Sequence, residues 1–305
     1  MTTVSAVKLI QPGDIQGMPV DDTPLLVLAD AKTLFGDRAA RLDKLAGVHN
    51  DSAWLAFCAQ LTRAQSACID LVDKTPVPDH VAQESFKHHV PPLSISTWQA
   101  GPDFEAVLSA LCNHLLQQNL SDKVKSVVEA LLRVETRDLI EQAHAMLEAN
   151  DTKVSAEFAP FIGAALQVIW TVRAQQFNSL TELHKGESGL CPVCGSHPVA
   201  STIRMGDRAG HRYLNCSLCA AEWYAPRARC TNCDSPKAVS MFGQSVEDAV
   251  QGECCDDCKG YLKLMLQSKE PTIDVMADDL ATYSLDVALA EEGYLRTCRN
   301  LFFIT

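Results

Sequence analysis

The sequence predicts an α+β fold: an N-terminal α-helical bundle domain, then two tandem rubredoxin-like or zinc-ribbon-like metal-binding units, then a C-terminal helix. Apolar residues recur at helical spacing through the first half of the chain, which indicates packed amphipathic helices. Nine of the thirteen cysteines lie between positions 191 and 258, and eight of them form two copies of one motif. A repeated cysteine motif of this kind predicts small units held together by metal ions.

The predicted domain boundaries follow these shifts in composition. We expect an N-terminal tail at 1–20, a helical domain at 21–185, a first tetra-Cys ribbon at 186–226, a second tetra-Cys ribbon at 227–270, and a C-terminal helix and tail at 271–305. A length of 305 residues suits about two domains. An apolar content of 47% with 21% charged residues is typical of a globular chain with a sizeable core.

The helical domain is predicted from its apolar periodicity. The run WLAFCAQLTRAQSACIDLV places its apolar residues on one helical face, with Ser52 as a plausible N-cap. Cys58 and Cys68 lie on that face, so we expect them in the core. Further helices are predicted at 103–116, 122–149 and 158–180, with a proline-marked loop at 76–92. The segment MADDLATYSLDVALAEEG predicts one more helix, which ends at Gly293 and packs back onto the protein.

The N-terminus shows no basic region followed by an apolar run, so no export signal is evident. The most apolar stretch, 158–172, is interrupted by Gln167 and followed by Arg173. It is shorter than the roughly 20 residues that a membrane span needs. We therefore expect a cytoplasmic protein without membrane insertion. Because disulfides are rare in that reducing compartment, the cysteines favour metal binding or thiol chemistry.

The cysteine motif is C-x2-C-x21-C-x2-C, and its second copy begins 39 residues after the first. A CxxC turn directs two thiolates at one point, and two such turns complete a tetrahedron around zinc or iron. The predicted ligands of the first ion are Cys191, Cys194, Cys216 and Cys219. Those of the second ion are Cys230, Cys233, Cys255 and Cys258.

The segments between the cysteine pairs predict β-hairpins. PVASTIRM and RYLNC flank a glycine-containing turn in the first unit, and KAVSMFGQ and QGECC flank a looser loop around 246–250 in the second. A residue that tolerates left-handed dihedrals often follows a CxxC turn, and Gly195 and Asp234 suit that position. The ninth cysteine, Cys254, breaks the 39-residue register and is expected to be a packing residue. Since four cysteines fill a tetrahedral shell, His197 and His211 are expected to be solvated or hydrogen-bonded.

Three classes of function are compatible with such units: an accessory or assembly protein, a nucleic-acid-binding regulator, and a rubredoxin-type electron carrier. Residues 186–270 carry 9 Lys/Arg and 10 Asp/Glu, a net charge of −1, and the whole chain has a net charge of −12. This balance disfavours nucleic acid, whose partners are basic where they bind. A catalytic zinc keeps an open position that four cysteines would close. The sequence also lacks the GxGxxG, P-loop, HExxH and GxSxG motifs.

The double unit CPVCGSHPVAS…RYLNCSLCAAEWY…RCTNC…ECCDDCKGYLK, followed by ADDLATYSLDVALAEEGY, resembles the formate dehydrogenase accessory protein FdhE family. The helical half agrees, since RAARLDKLAGVH, WLAFCAQLTRAQ and APFIGAALQVIW follow in the family's order. The resemblance implies a chaperone-like cytoplasmic accessory factor, not an enzyme, which binds the catalytic subunit of formate dehydrogenase before its export. It also implies one ion per tetra-Cys unit, with rubredoxin-type FeS4 iron or zinc.

Three arginines in or beside the first hairpin and two that join the units suggest where such a partner would bind, the alternative being that they are solvated or paired with Asp207 and Glu222. As a set they could form one face that receives acidic groups of the partner, because the second unit has no matching cluster. The predicted partner-binding residues are Arg204, Arg208, Arg212, Arg227 and Arg229.

Overall fold

The computed structural model describes residues 7–10, 23–49, 51–183, 189–227, 229–236 and 239–303. Helices form the first part of the chain and two shorter ones lie near its end, as the α+β prediction required. The helices are α1 (Ala31–Ala46), α2 (Ser52–Ala67), α3 (Asp79–Lys87), α4 (Pro102–Leu116), α5 (Asp122–Leu131), α6 (Thr136–Leu147), α7 (Ala159–Ala174), α8 (Val275–Ala281) and α9 (Tyr283–Glu291). None of these helices has the length and apolarity of a membrane span.

Helix α7 is the centre of the helical domain. It is apolar on nearly all sides, and α2, α4 and α6 pack around it. Such all-round burial is expected of a helix that is hydrophobic on every face. The chain end also reaches this helix: a Cβ atom added to Gly163 would lie 2.6 Å from the carbonyl oxygen of Leu301. Leu301 and Phe302 are buried there, so the predicted return of the C-terminus onto the protein is confirmed.

Several predicted helix limits are wrong. Ser52 is the first helical residue rather than the N-cap, and the helix predicted at 122–149 is split between α5 and α6. The predicted loop at 76–92 contains α3. The C-terminal helix is also two helices, which meet at Thr282. There the ammonium group of Lys263 donates to the carbonyl oxygens of Asp279 (2.9 Å) and Thr282 (3.1 Å).

The strands form one sheet instead of two separate ribbons. They are β1 (Val7–Ile10), β2 (Leu26–Val27), β3 (Pro198–Ile203), β4 (Arg212–Cys216), β5 (Glu222–Ala225), β6 (Val239–Gly243), β7 (Val250–Cys255), β8 (Gly260–Leu266) and β9 (Leu295–Arg296). The order is β1-β6-β7-β8-β3-β4-β5-β2, with β9 also paired to β8. The two predicted hairpins are present as β3–β4 and β6–β7. The first hairpin gains β5 as a third strand, and the second hairpin gains β8. Neither third strand was predicted.

The two three-stranded units are joined side by side. Strand β8 of the second unit pairs in parallel with β3 of the first, with Ala200 opposite Lys263. The outer strands of the six are β5 and β6, and the N-terminal strands β2 and β1 pair with them. Short strands that cover the sheet in this way protect edges that would otherwise invite pairing with other chains.

Candidate metal centres

The eight predicted ligands come together in two groups of four. Within each group the sulfur atoms all lie within 4.8 Å of one another. In the first group Sγ of Cys191 lies 3.5 Å from that of Cys219, and Sγ of Cys194 lies 3.4 Å from that of Cys216. In the second group the corresponding distances are 3.8 Å for Cys230 and Cys258, and 3.6 Å for Cys233 and Cys255.

This geometry suits a tetrahedral ion. A metal–sulfur bond of about 2.3 Å places the corners of an S4 tetrahedron about 3.8 Å apart, close to the distances observed. Each group could therefore bind one metal ion. Four thiolates suit zinc and iron alike.

Backbone conformation explains how each CxxC turn closes. The residue after every pair has a positive φ: 80° at Gly195, 56° at Ala220, 63° at Asp234 and 55° at Lys259. The left-handed region costs a non-glycine residue about 1–2 kcal/mol, so the turn is imposed by its surroundings at three of the four positions. Gly195 and Asp234 were anticipated from their side chains, whereas Ala220 and Lys259 carry no such signal. The signal that could have identified them is their position. Each directly follows the second CxxC pair of its unit, and the two are 39 residues apart.

The backbone of the two leading turns is identical in its hydrogen bonds. The amide of Cys191 donates to the carbonyl of Ser196 (2.8 Å), and the amide of Cys230 donates to that of Ser235 (2.9 Å). The amide of Gly195 donates to the carbonyl of Cys191 (2.8 Å), as Asp234 does to Cys230 (3.0 Å). The sequence repeat is thus a structural repeat at the level of single hydrogen bonds.

One sulfur in each group is favoured as a thiolate. Burial raises the pKa of Cys216, but hydrogen bonds from Cys191, Cys194 and Cys219 outweigh it and hold that pKa well below its usual value. In the second group burial also raises the pKa of Cys258, while hydrogen bonds from the Asn232 side chain and the Gly260 amide help lower it to about 7. Since thiolates are the metal-binding form, these contacts favour ion uptake.

The first group lies inside the main hydrophobic core. Its cysteines are 0–4% exposed, and the helical domain hydrogen-bonds the backbone of both turns. The amides of Leu93 and Ile95 donate to the carbonyls of Val193 (2.9 Å) and Cys194 (3.0 Å). On the other turn, the side-chain amide of Gln167 donates to the carbonyl of Ser217 (2.7 Å). The polar residue that interrupts the apolar run of α7 thus joins the helical domain to a turn of the first cysteine group.

The second group lies at the surface. Cys255 is 1% and Cys230 9% exposed, whereas Cys258 is half-buried and Cys233 is exposed. The apolar cluster around these cysteines adds only Val239 among the described residues. Identical cysteine spacing therefore yields one enclosed and one open centre.

Three of the remaining cysteines have the packing roles expected of them. Cys58 and Cys68 lie in the main core, and Cys254 is fully buried in the cluster beneath α9. His211 differs from the expectation. Neither of its ring nitrogens has a hydrogen-bond partner in the described part of the chain, and its ring instead packs edge-on against Tyr224 at 6.0 Å.

The five arginines differ in their contacts. Arg204 and Arg208 share Glu222 and line a cleft of about 850 Å³ between α1 and the sheet. Arg227 lies beside Gly210, and Arg229 forms an ion pair with Asp234 (3.1 Å). Arg212 is 2% exposed and binds Glu253 of the second unit. Its predicted place on a contact face is therefore wrong, because its guanidinium is buried in the sheet, where it joins the two units.

Family models match the chain in three consecutive segments. They are described as FdhE, N-terminal, at residues 23–185; FdhE, central domain, at 190–227; and FdhE, C-terminal domain, at 228–303. The second boundary falls between the two tetra-Cys units.

Whole-chain relatives agree with the family models. A protein FdhE homolog of Haemophilus influenzae is 32% identical over 300 residues, which cover 97% of each chain. Protein FdhE of Escherichia coli is 34% identical over 294 residues, which cover 95% of this chain and 94% of that one. The crystal structure of the FdhE protein from Pseudomonas aeruginosa matches with a TM-score of 0.81 and 32% identity, over 92% of this chain and 98% of that one. The chain therefore belongs to the FdhE family.

Proposed function

We propose that this protein is an accessory factor for formate dehydrogenase, which holds the enzyme's catalytic subunit in the cytoplasm before export and is not itself an enzyme. The observation that carries the proposal is the family match along nearly the whole chain, helical body and both tetra-Cys units included. The build of the molecule supports it. Each candidate centre has four protein ligands at tetrahedral spacing, which leaves no open position for a substrate.

The eight clustered cysteines are proposed as the ligands of two ions, four to each ion. Thiophilic ions would contribute folding free energy to a part of the chain whose turns are strained at non-glycine positions. The first ion would fix the sheet to the helical domain through the turns that Gln167 and Leu93 contact. The second ion would shape a surface turn.

The partner surface is proposed at the partly buried arginines of the first unit and of the junction between the units: Arg204, Arg208, Arg227 and Arg229. The contacts of these arginines differ. Glu222 already neutralises one charge of the Arg204 and Arg208 pair, whereas Arg227 has a buried Nε atom without a hydrogen-bond partner among the described residues. Charges at an accessible rim mainly steer association and affect its salt dependence.

Binding of the catalytic subunit tests this proposal. The double variant Arg227→Glu/Arg229→Glu should weaken capture of a formate dehydrogenase catalytic subunit by about tenfold or more, since two favourable charges become unfavourable. The measurement is a calorimetric titration, with metal content and circular dichroism recorded in parallel.

The matched control is Arg133→Glu/Arg137→Glu, which makes the same charge change at exposed positions of the helical domain. It should bind like the wild type. Absence of binding by the wild-type protein would contradict the accessory role, whereas equal binding by both double variants would contradict only the proposed surface.

A further inference from the structure

The second tetra-Cys group differs from the first in what a reagent in solution can reach. The Cys233 side chain is exposed and that of Cys258 is half-buried, whereas the sulfurs of the first group lie in the core of the molecule. Both groups have the same spacing and the same turn conformation. Their difference in access therefore arises from their neighbours and not from the ligand set.

The neighbours of the second group are polar and exposed. Asn232 and Asp234 flank Cys233, and Asp256 and Asp257 precede Cys258. Asp234 has 74% and Asp256 46% of its side chain exposed. These two carboxylates are paired with Arg229 (3.1 Å) and Lys259 (3.2 Å), so the second group has a polar, solvent-exposed rim where the first has an apolar core.

We propose that the second tetra-Cys group is an exchange site, which takes up and releases its thiophilic divalent ion on the folded protein by ligand substitution at Cys233 and Cys258. The inference rests on the proposed binding of one ion by each group. A bound ion would be held by Cys233 and Cys258 on its solvent side, and a soft ligand from solution, such as a thiolate, would take the place of the Cys233 sulfur on that side. The released sulfur is in contact with water, where it takes up a proton. No electron is transferred.

The same step is blocked at the first group. A sulfur released there would be a bare thiolate inside an apolar core, and burial of an unpaired charge is costly. An incoming ligand would also have to displace turns that the helical domain holds by hydrogen bonds. Release of the first ion therefore requires local unfolding.

The experiment follows zinc release from the full-length protein, loaded with zinc, to the chromophoric chelator 4-(2-pyridylazo)resorcinol. We expect two phases of one equivalent each. The fast phase should be about 100-fold faster than the slow one or more, because only the slow one includes an opening step that costs several kcal/mol. Circular dichroism should stay unchanged during the fast phase.

Two readouts assign the phases. The variant Cys233→Ser should lack the fast equivalent and keep the slow one. In the wild-type protein, iodoacetamide present during the fast phase should label Cys233 and Cys258, as located by mass spectrometry, and leave Cys191 and Cys194 unlabelled. This labelling does not depend on the folding of any variant.

The possible failures are distinct. A chain that binds fewer than two zinc ions after loading would contradict the proposed metal binding. Two ions that leave the folded protein at one rate, or a fast phase that survives in Cys233→Ser, would contradict the exchange site alone.

Discussion

The two tetra-Cys units have the same cysteine spacing, the same strand plan and the same turn conformation, yet they are attached to different parts of the molecule. The first unit packs on α7, and its cysteines belong to the main core. The second packs beneath α9, and its four clustered cysteines lie nearer the surface. The comparison teaches that a metal motif specifies its own fold, while the elements packed against it decide its exposure.

The attachments themselves differ in chemistry. The first unit is held by neutral hydrogen bonds to its backbone, such as that from Gln167. The second is held by a buried ionic cluster, in which Lys263 of β8 binds Asp279 (3.1 Å) and Asp286 (2.6 Å) of the C-terminal helices. Arg296 also binds both carboxylates. Such a cluster is stable only while every charge is paired.

Replacement of a proposed metal ligand by serine should give the largest difference in stability between the two units. We expect Cys194→Ser to lower the free energy of unfolding of the whole protein by more than about 5 kcal/mol, because a structural ion contributes about 10 kcal/mol or more to folding and the proposed first ion would bind to cysteines of the shared core. Cys233→Ser, at the equivalent position of the open unit, should cost less and leave the helical signal intact. Denaturant unfolding followed by circular dichroism checks this, and equal losses would erase the distinction between the units.

The ionic cluster should give the next largest effect. Lys263→Met leaves two buried carboxylates with Arg296 as their remaining cationic partner, and removal of one member of a buried ionic group costs about 3–5 kcal/mol. The variant should unfold at a lower temperature than the wild type, and it should release zinc from the second unit faster. The control Lys259→Met removes an exposed lysine just before the same strand and should change stability by less than about 0.5 kcal/mol. A Lys263→Met protein as stable as the control would exclude the cluster as an attachment.

The smallest effect should come from the contact of α7 with the first unit. Gln167→Leu leaves the buried carbonyl of Ser217 without its donor, at a cost of about 1–3 kcal/mol, and should speed the slow zinc phase. Thr171→Val is the matched control, since the Thr171 hydroxyl lies 3.5 Å from the Leu218 carbonyl and contributes less. Slow-phase rates that are unchanged in Gln167→Leu would mean that α7 does not restrain the first centre.

The sequence predicted the class of fold and the grouping of the cysteines. Both follow from short-range rules: apolar periodicity makes helices, and two CxxC turns at a fixed interval bring four sulfurs together. The hairpins of both units were predicted for the same reason, since their strands lie close in sequence. Helix limits such as the break at Thr282 were missed because they depend on Lys263, which lies on a distant strand.

The sequence also could not predict that the two units form one sheet. It depends on the pairing of β8 with β3, which brings residues about 60 positions apart into register, and no local pattern encodes that pairing. The burial of Arg212 could not be predicted either, because it too depends on pairing between distant segments. Arg212 looks like its neighbours in sequence, but the sheet places Glu253 of the other unit beside it.

The sequence by itself thus determined that this protein has a helical body and two four-thiol centres, because the residues that build them are close in sequence or repeat at a fixed period. Only the tertiary structure decided which centre is enclosed. That outcome depends on Gln167 and Leu93 reaching one unit from the helical domain, while the second unit meets the C-terminal helices through Lys263 and leaves Cys233 in water. The physical reason is that burial is a property of the surfaces that meet, whereas spacing is a property of one segment.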